Sequence, residues 1–228
     1  MDVSRHAQPD VVLEAWSSQS ALPGRFLILP DGCRDLVLHL GEGPAAANCQ
    51  VSPLDDCARR VDSPGGGRWF GWRLRPGTQV RQSLLLQAVA RLNVDPRIDA
   101  ETLARQVAPR LADFCLNDPR VDEALAVIAE ATSTAAAVRA LGVGERSLQR
   151  LLAHATGRPP AFWRSLARIR QAVRSLEGPT PLAEVAADHG FTDQAHLSRE
   201  CRRWMGVPPA QLRHEAQMLR TATASGYG

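Results

Sequence analysis

Two short stretches of the chain place arginine and glutamine where a helix would turn them away from its apolar side. In Glu145–Ala155, Arg146, Gln149 and Arg150 fall opposite Leu148, Leu151 and Leu152. In Asp193–Met205, Gln194, His196 and Arg199 fall opposite Leu197, Cys201 and Trp204. A guanidinium forks onto guanine O6 and N7, and a Gln amide onto adenine N6 and N7. These side chains suit recognition of base edges rather than bond-making chemistry. Arg202 and Arg203 come later on the second helix, where phosphate contact is expected, and Thr192 stands at its start as cap and further phosphate ligand. A charged helix face is more often only a solvated face. Repetition decides against that here: Ser133–Gly157 and Pro181–Gly206 each read as alanine-rich helix, glycine turn and second helix, with Arg150 and Arg199 in matching places 49 residues apart.

These two helix-turn-helix units need an element to space them. Pro159 and Pro160 open a long amphipathic helix reaching about Leu176, with Phe162, Leu166, Ile169, Val173 and Leu176 at helical spacing. Arg164, Arg168, Arg170 and Arg174 occupy its other positions. A span of roughly 26 Å, from about 1.5 Å per residue, can hold two reading helices about one DNA turn apart. Gly178 stops this helix, and Thr180-Pro181 restarts the chain as cap and first residue. Upstream, Asp118 caps a helix that starts at Pro119 and buries Val121, Leu125, Ile128 and Ala129.

Charge follows this division. The 228-residue chain has a net charge of only +3. Residues 1–118 carry 13 basic and 14 acidic side chains, a net of −1, whereas residues 119–228 carry 14 and 10, a net of +4. The basic excess therefore lies in the half with the paired helices, as DNA contact requires. The chain contains no lysine, so each of these cations is a planar guanidinium. No apolar run approaches the roughly 20 residues of a membrane span, and no secretory signal is expected. Five cysteines without a CxxC pair read as reduced thiols, with Cys33 a structural small residue.

The first part reads as β-rich. Arg25–Pro30, Asp35–Leu40 and Arg68–Leu74 are short apolar or alternating runs. Turn signals at Pro23-Gly24, Asp31-Gly32, Gly41–Pro44, Ser63–Gly67 and Pro76-Gly77 bound them. Leu36, Leu38 and Leu40 share one face of a strand, and Asp35, Val37 and His39 the other. Gln79–Leu92 and Ala100–Leu116 then read as helical, the first with Val80, Leu84, Leu85, Ala88 and Leu92 at helical spacing and the second with Pro109 as a break or kink. Trp16, Trp69, Phe70 and Trp72 read as core before effector pocket, and Arg34, Arg73 and Arg75 as exposed strand charge. The last residues, TATASGYG, read as a frayed tail.

Residues 119–215 resemble the DNA-binding domain of AraC/XylS-type bacterial transcription regulators. The stretch Arg174–Arg213 carries the resemblance, with Gly190-Phe191, Gln194, Leu197, Arg199, Gly206, Pro208 and Arg213 standing where that signature has them. A looser match spans Ser147–Ala172. The resemblance implies a seven-helix domain that controls transcription initiation. Cys201 stands where that family usually has a large aromatic, and Gly144 where it usually has a Ser-like cap. More weakly, Ile28–Gly41 and Phe70–Gly77 resemble the cupin-like sensor domains of some such regulators. A cupin metal site needs an HxH pair with a further His and Glu, but the β region offers His39, with His6 outside it. No metal or other cofactor is therefore expected.

The expectation is a two-domain α+β chain. Residues 1–117 form a β-rich sensor or dimerisation domain with a helical extension, 118–215 the DNA-binding domain, and 216–228 a flexible tail. Double-stranded DNA is the expected partner, and RNA polymerase, a small-molecule effector and a second copy of the chain are the others. A cytoplasmic location goes with that reading. The alternative is a cupin-type or repair enzyme with a DNA-binding tail. It would need a metal triad or an activated nucleophile, and the sequence has no HxH, no GxSxG and no clustered Cys ligands.

Overall fold

The computed structural model describes residues 9–19, 22–41, 47–63 and 65–228. His6 and most of the turn read at Gly41–Pro44 lie outside the described residues. The chain forms two compact units. One holds the residues up to Phe26, Cys33–Pro53 and Val61–Asp118, and the other holds Leu27–Gly32, Leu54–Arg60 and Pro119–Gly228.

In the first unit the strands are β1 (Val12–Gln19), β3 (Asp35–Gly41), β4 (Ala47–Val51) and β6 (Gly67–Leu74), in the antiparallel order β1-β6-β3-β4. Leu36, Leu38 and Leu40 are buried on one face, as their alternation requires, and Phe70, Trp72 and Leu74 continue that face on β6. Trp72 and Phe70 are thus core. Trp16 and Trp69 are half-buried on the opposite face with Val37, His39 and Arg73. The Trp16 indole lies against Gly71, where any Cβ would collide with its ring, so only glycine fits at this point of the strand. His39 stacks on Trp69 with 4.0 Å between ring centroids. Arg73, read as exposed strand charge, is instead half-buried between Asp35 and Glu14.

Two helices cover the apolar face. Helix α1 (Gln82–Ala90) buries Leu85 and Val89, and α2 (Ala100–Phe114) buries Leu103, Val107 and Leu111. The structure corrects two details. Gln79–Val80 is a short strand, β7, paired with β8 (Cys115–Leu116), so helix starts only at Gln82 and Leu84 is left exposed. Pro109 is accommodated inside α2 without ending it. The remaining strands, β2 (Gly24–Ile28) and β5 (Arg59–Ser63), pair with each other.

The second unit is helical: α3 (Pro119–Glu130), α4 (Thr134–Leu141), α5 (Glu145–Thr156), α6 (Pro160–Arg174), a 3-10 turn (Ser175–Glu177), α7 (Leu182–Asp188), α8 (Gln194–Met205), α9 (Pro209–His214) and α10 (Ala216–Thr223). Its core gathers Val121, Leu125 and Ile128 of α3, Leu148 and Leu152 of α5, Leu166, Ile169 and Val173 of α6, and Leu197, Cys201 and Trp204 of α8. These are the positions that helical periodicity marks as inward.

The flexible tail expected at 216–228 is overturned. Residues Ala216–Thr223 are a helix that buries Leu219 and Ala222, and the chain beyond it returns to the core. Tyr227 is 5% exposed. Its hydroxyl donates to Leu125 O at 2.9 Å, its amide to Asp31 O at 2.8 Å, and its ring meets Trp163 edge-on. Burial pushes its phenol pKa well up. Arg170, which stands off the apolar spacing of the long helix, is 1% exposed, and it donates to the carbonyls of Ala222 and Ala224. A small polar stretch gives no apolar signal for such docking. What holds it is one aromatic ring and a buried guanidinium that satisfies backbone carbonyls.

Candidate nucleic-acid interface

The two helix-turn-helix units share a backbone plan. After α4 the chain turns through Gly142 at φ 64°, and after α7 through Gly190 at φ 69°. Both lie in the left-handed region that a Cβ disfavours, which explains glycine at matching places. Each turn delivers a twelve-residue helix, α5 or α8.

On α5, Arg146, Gln149 and Arg150 are all exposed, with Leu148 and Leu152 buried behind them. The Gln149 amide donates to Glu145 Oε1 at a long 3.4 Å, a weak bond. Gly144 stands at the N-cap with no side-chain bond, as the sequence implies. On α8, Gln194, Arg199, Arg202 and Arg203 are exposed over buried Leu197, Cys201 and Trp204. Arg203 lies 3.8 Å from Glu200 and over the Trp204 ring. Burial raises the Cys201 thiol to about 12, so it stays neutral in the core.

The N-terminus of α8 differs from the expected one. Asp193, not Thr192, is the cap: its carboxylate accepts from the His196 amide at 2.6 Å. Thr192 serves a second layer, with its amide donating to His196 Nδ1 and its hydroxyl 3.3 Å from the same nitrogen. The His196 ring also meets Phe191 edge-on. The ring is drawn back to the turn by its Nδ1 contacts with Thr192. Thr192 itself is exposed, and its hydroxyl is shared with this cap. Thr180 is likewise not a cap, because Pro181 precedes α7 and makes no side-chain bond.

Several arginines hold the units together instead of facing outward. From α6, Arg164 donates to Thr132 O ahead of the first unit. Arg168 donates to Gly190 O in the turn of the second unit and lies 4.5 Å over the Phe191 ring. Burial, and Arg164 beside it, lower the pKa of Arg168. Arg213 of α9 donates to Thr180 O at 2.6 Å. A guanidinium with five donors can tie a turn carbonyl while its stem stays in apolar surroundings. Sequence reasoning missed these holders because an arginine off the apolar stripe reads alike whether it meets water or a carbonyl from a neighbouring turn. The α-helical part of the long helix ends at Arg174, before Leu176. Its 15 residues span about 22 Å, and the 3-10 turn that carries on to Glu177 adds about 6 Å, so the whole element has about the expected length.

Among the described residues no group of three His, Cys, Asp or Glu is placed to hold a metal ion. Among the described residues no helix is long and apolar enough to cross a membrane.

Residues 137–215 match the family model described as a helix-turn-helix domain. No match was found among curated protein sequences. Among solved structures the chain is similar to ToxT from Vibrio cholerae at 10% identity, covering 88% of this chain and 97% of that one with a TM-score of 0.45. It is similar at 9% identity to ToxT bound to (E)-4-(8-methylnaphthalen-1-yl)but-3-enoic acid, covering 90% and 97% with a TM-score of 0.48. A third, ToxT with bound unsaturated fatty acid, has 9% identity, 94% and 96% coverage and a TM-score of 0.41.

Proposed function

We propose, from the premise that the C-terminal part of this chain carries a helix-turn-helix domain of the AraC type, that the protein is a sequence-specific DNA-binding regulator of transcription. Helices α5 and α8 enter successive major grooves on one side of the duplex. Arg146, Gln149, Arg150, Gln194, Arg199 and the Nε2 edge of His196 meet base edges. Arg202, Arg203 and the Thr192 hydroxyl meet phosphates. The N-terminal unit binds a small effector or pairs with a second copy, RNA polymerase is the partner at the promoter, and the cytoplasm is the site of action.

One observation carries this reading. Two matched turns present two exposed polar faces built from guanidinium and amide groups, each backed by a continuous apolar core. A surface made to dock on protein would present an apolar stripe there instead.

Selection of binding sites by the purified chain from a random duplex library, at near-physiological salt, tests it. The expected result is two short preferred blocks about 10 bp apart, with affinity falling steeply as salt rises. Enrichment of a single block would refute paired reading. No enrichment, together with weak salt dependence, would refute DNA recognition.

A further inference from the structure

The C-terminal ends of both helices, α5 and α8, meet the same short segment of their own unit, Leu54–Arg60. Arg158 follows α5 directly after its Gly157 cap. Its guanidinium donates to Leu54 O at 2.7 Å and to the Asp56 carboxylate at 3.0 Å. Gly206 ends α8, and a Cβ placed there would lie 3.2 Å from the Ala58 Cβ. Leu54 is 7% exposed and is buried in the same core as Leu152 and Trp204, with Ala58 packed against it. A further link joins the two ends: the Arg158 guanidinium lies 4.9 Å over the Phe162 ring, which in turn packs 5.5 Å from the Trp204 ring of α8.

We propose that Leu54–Arg60 is a positioning element of the DNA reader, a strap that fixes the two reading helices in one mutual geometry. The inference rests on the reading of α5 and α8 as a pair. None of these residues touches a base in that reading. They act on the geometry with which the helices reach two grooves together. The Arg158–Asp56 pair is half-exposed and adds little to stability. Its weight lies in register. Binding one block needs one helix correctly placed, whereas binding two blocks needs both placed at once, so loosening the strap penalises only the second case.

The test uses the full chain and the two-block site it selects, with duplexes holding both blocks or one block alone. Asp56→Ala removes the carboxylate beside Arg158, and Ala58→Leu crowds Gly206. Each variant should lose about tenfold in affinity for the two-block duplex while staying within about twofold on either single block. Asp56→Glu should recover most of the loss. Asp62→Ala, which makes the same charge change at the exposed pair with Arg25 in the other unit, should leave both affinities in place. Thermal melting of each variant, with Asp56→Asn as the milder replacement, separates lost register from lost fold. Parallel losses on single-block and two-block duplexes would overturn the strap, and so would unchanged two-block binding in both variants. Failure of the wild-type chain to select any two-block site would overturn the paired reading instead.

Discussion

Helix α8 begins on a side-chain cap, and α5 begins on a bare glycine. Asp193 takes the His196 amide, and Thr192 and Phe191 hold the His196 ring, so the start of the second reader is fixed by its own turn. That turn is tied again to α6 by Arg168. The first reader lacks any such cap at Gly144, although α4 before it is capped by Ser133. A polar tie lies just past its opposite end, where Arg158 meets Leu54 and Asp56. Two units with one backbone plan thus carry side-chain ties at opposite ends. A matched turn is enough to aim a helix, while the rigidity of that helix depends on what each end bonds.

The proposed base contacts set the largest expected difference between the units. Arg150→Ala and Arg199→Ala should each cost about 1–3 kcal/mol on the preferred site and relax the preference at one base pair. The relaxed position should lie in a different block for each variant, as read by competition against a panel of singly changed duplexes. Arg203→Ala should weaken all sequences alike and lower the salt slope by about one. If Arg150→Ala and Arg199→Ala also act uniformly, the assignment of base readers is wrong.

The caps come next. Asp193→Ala should destabilise the second reader by about 1 kcal/mol, visible as a lower thermal midpoint and faster amide exchange at the start of α8. Gly144→Ser, adding a hydroxyl where α5 has none, should stabilise the first reader by only a few tenths of a kcal/mol. Equal and opposite effects of the two changes would mean that the caps do not distinguish the units.

The smallest effect is a pH dependence confined to the second unit. His189 ends α7 and shares a 2.8 Å hydrogen bond with Ser175 Oγ, whereas Leu141 stands at the matching place in the first unit. Burial lowers the His189 pKa below its ordinary value near 6.5. The folded protein therefore favours the neutral ring. The associated stability is present above the ordinary value and is lost as pH falls below it toward the folded value. The thermal midpoint should drop on going from neutral pH into this window, and His189→Gln should lose that part of the drop.

Much of the reader was legible because helical periodicity is a local property. Leu148, Leu152, Leu197, Cys201 and Trp204 are spaced for one face, and their burial leaves Arg146, Gln149, Arg150, Gln194 and Arg199 outside. Alternation served as well for Leu36, Leu38 and Leu40. It gave no signal in Arg59–Ser63, where β5 is polar along most of its length, or in Ala47–Val51. The cap of α8 was misplaced by one residue because Thr and Asp are both good caps and stand side by side.

The sequence by itself determined the number of helix-turn-helix units, their turns and the faces their readers expose, because these follow from spacing within a few residues. Tertiary structure decided what meets across long separations: Tyr227 against Leu125, Arg170 against the chain after α10, and Arg158 against Leu54 and Asp56. Those contacts satisfy buried backbone groups or fill space between elements more than fifty residues apart. No local pattern encodes such a pairing, since either partner alone reads as an ordinary polar or aromatic residue.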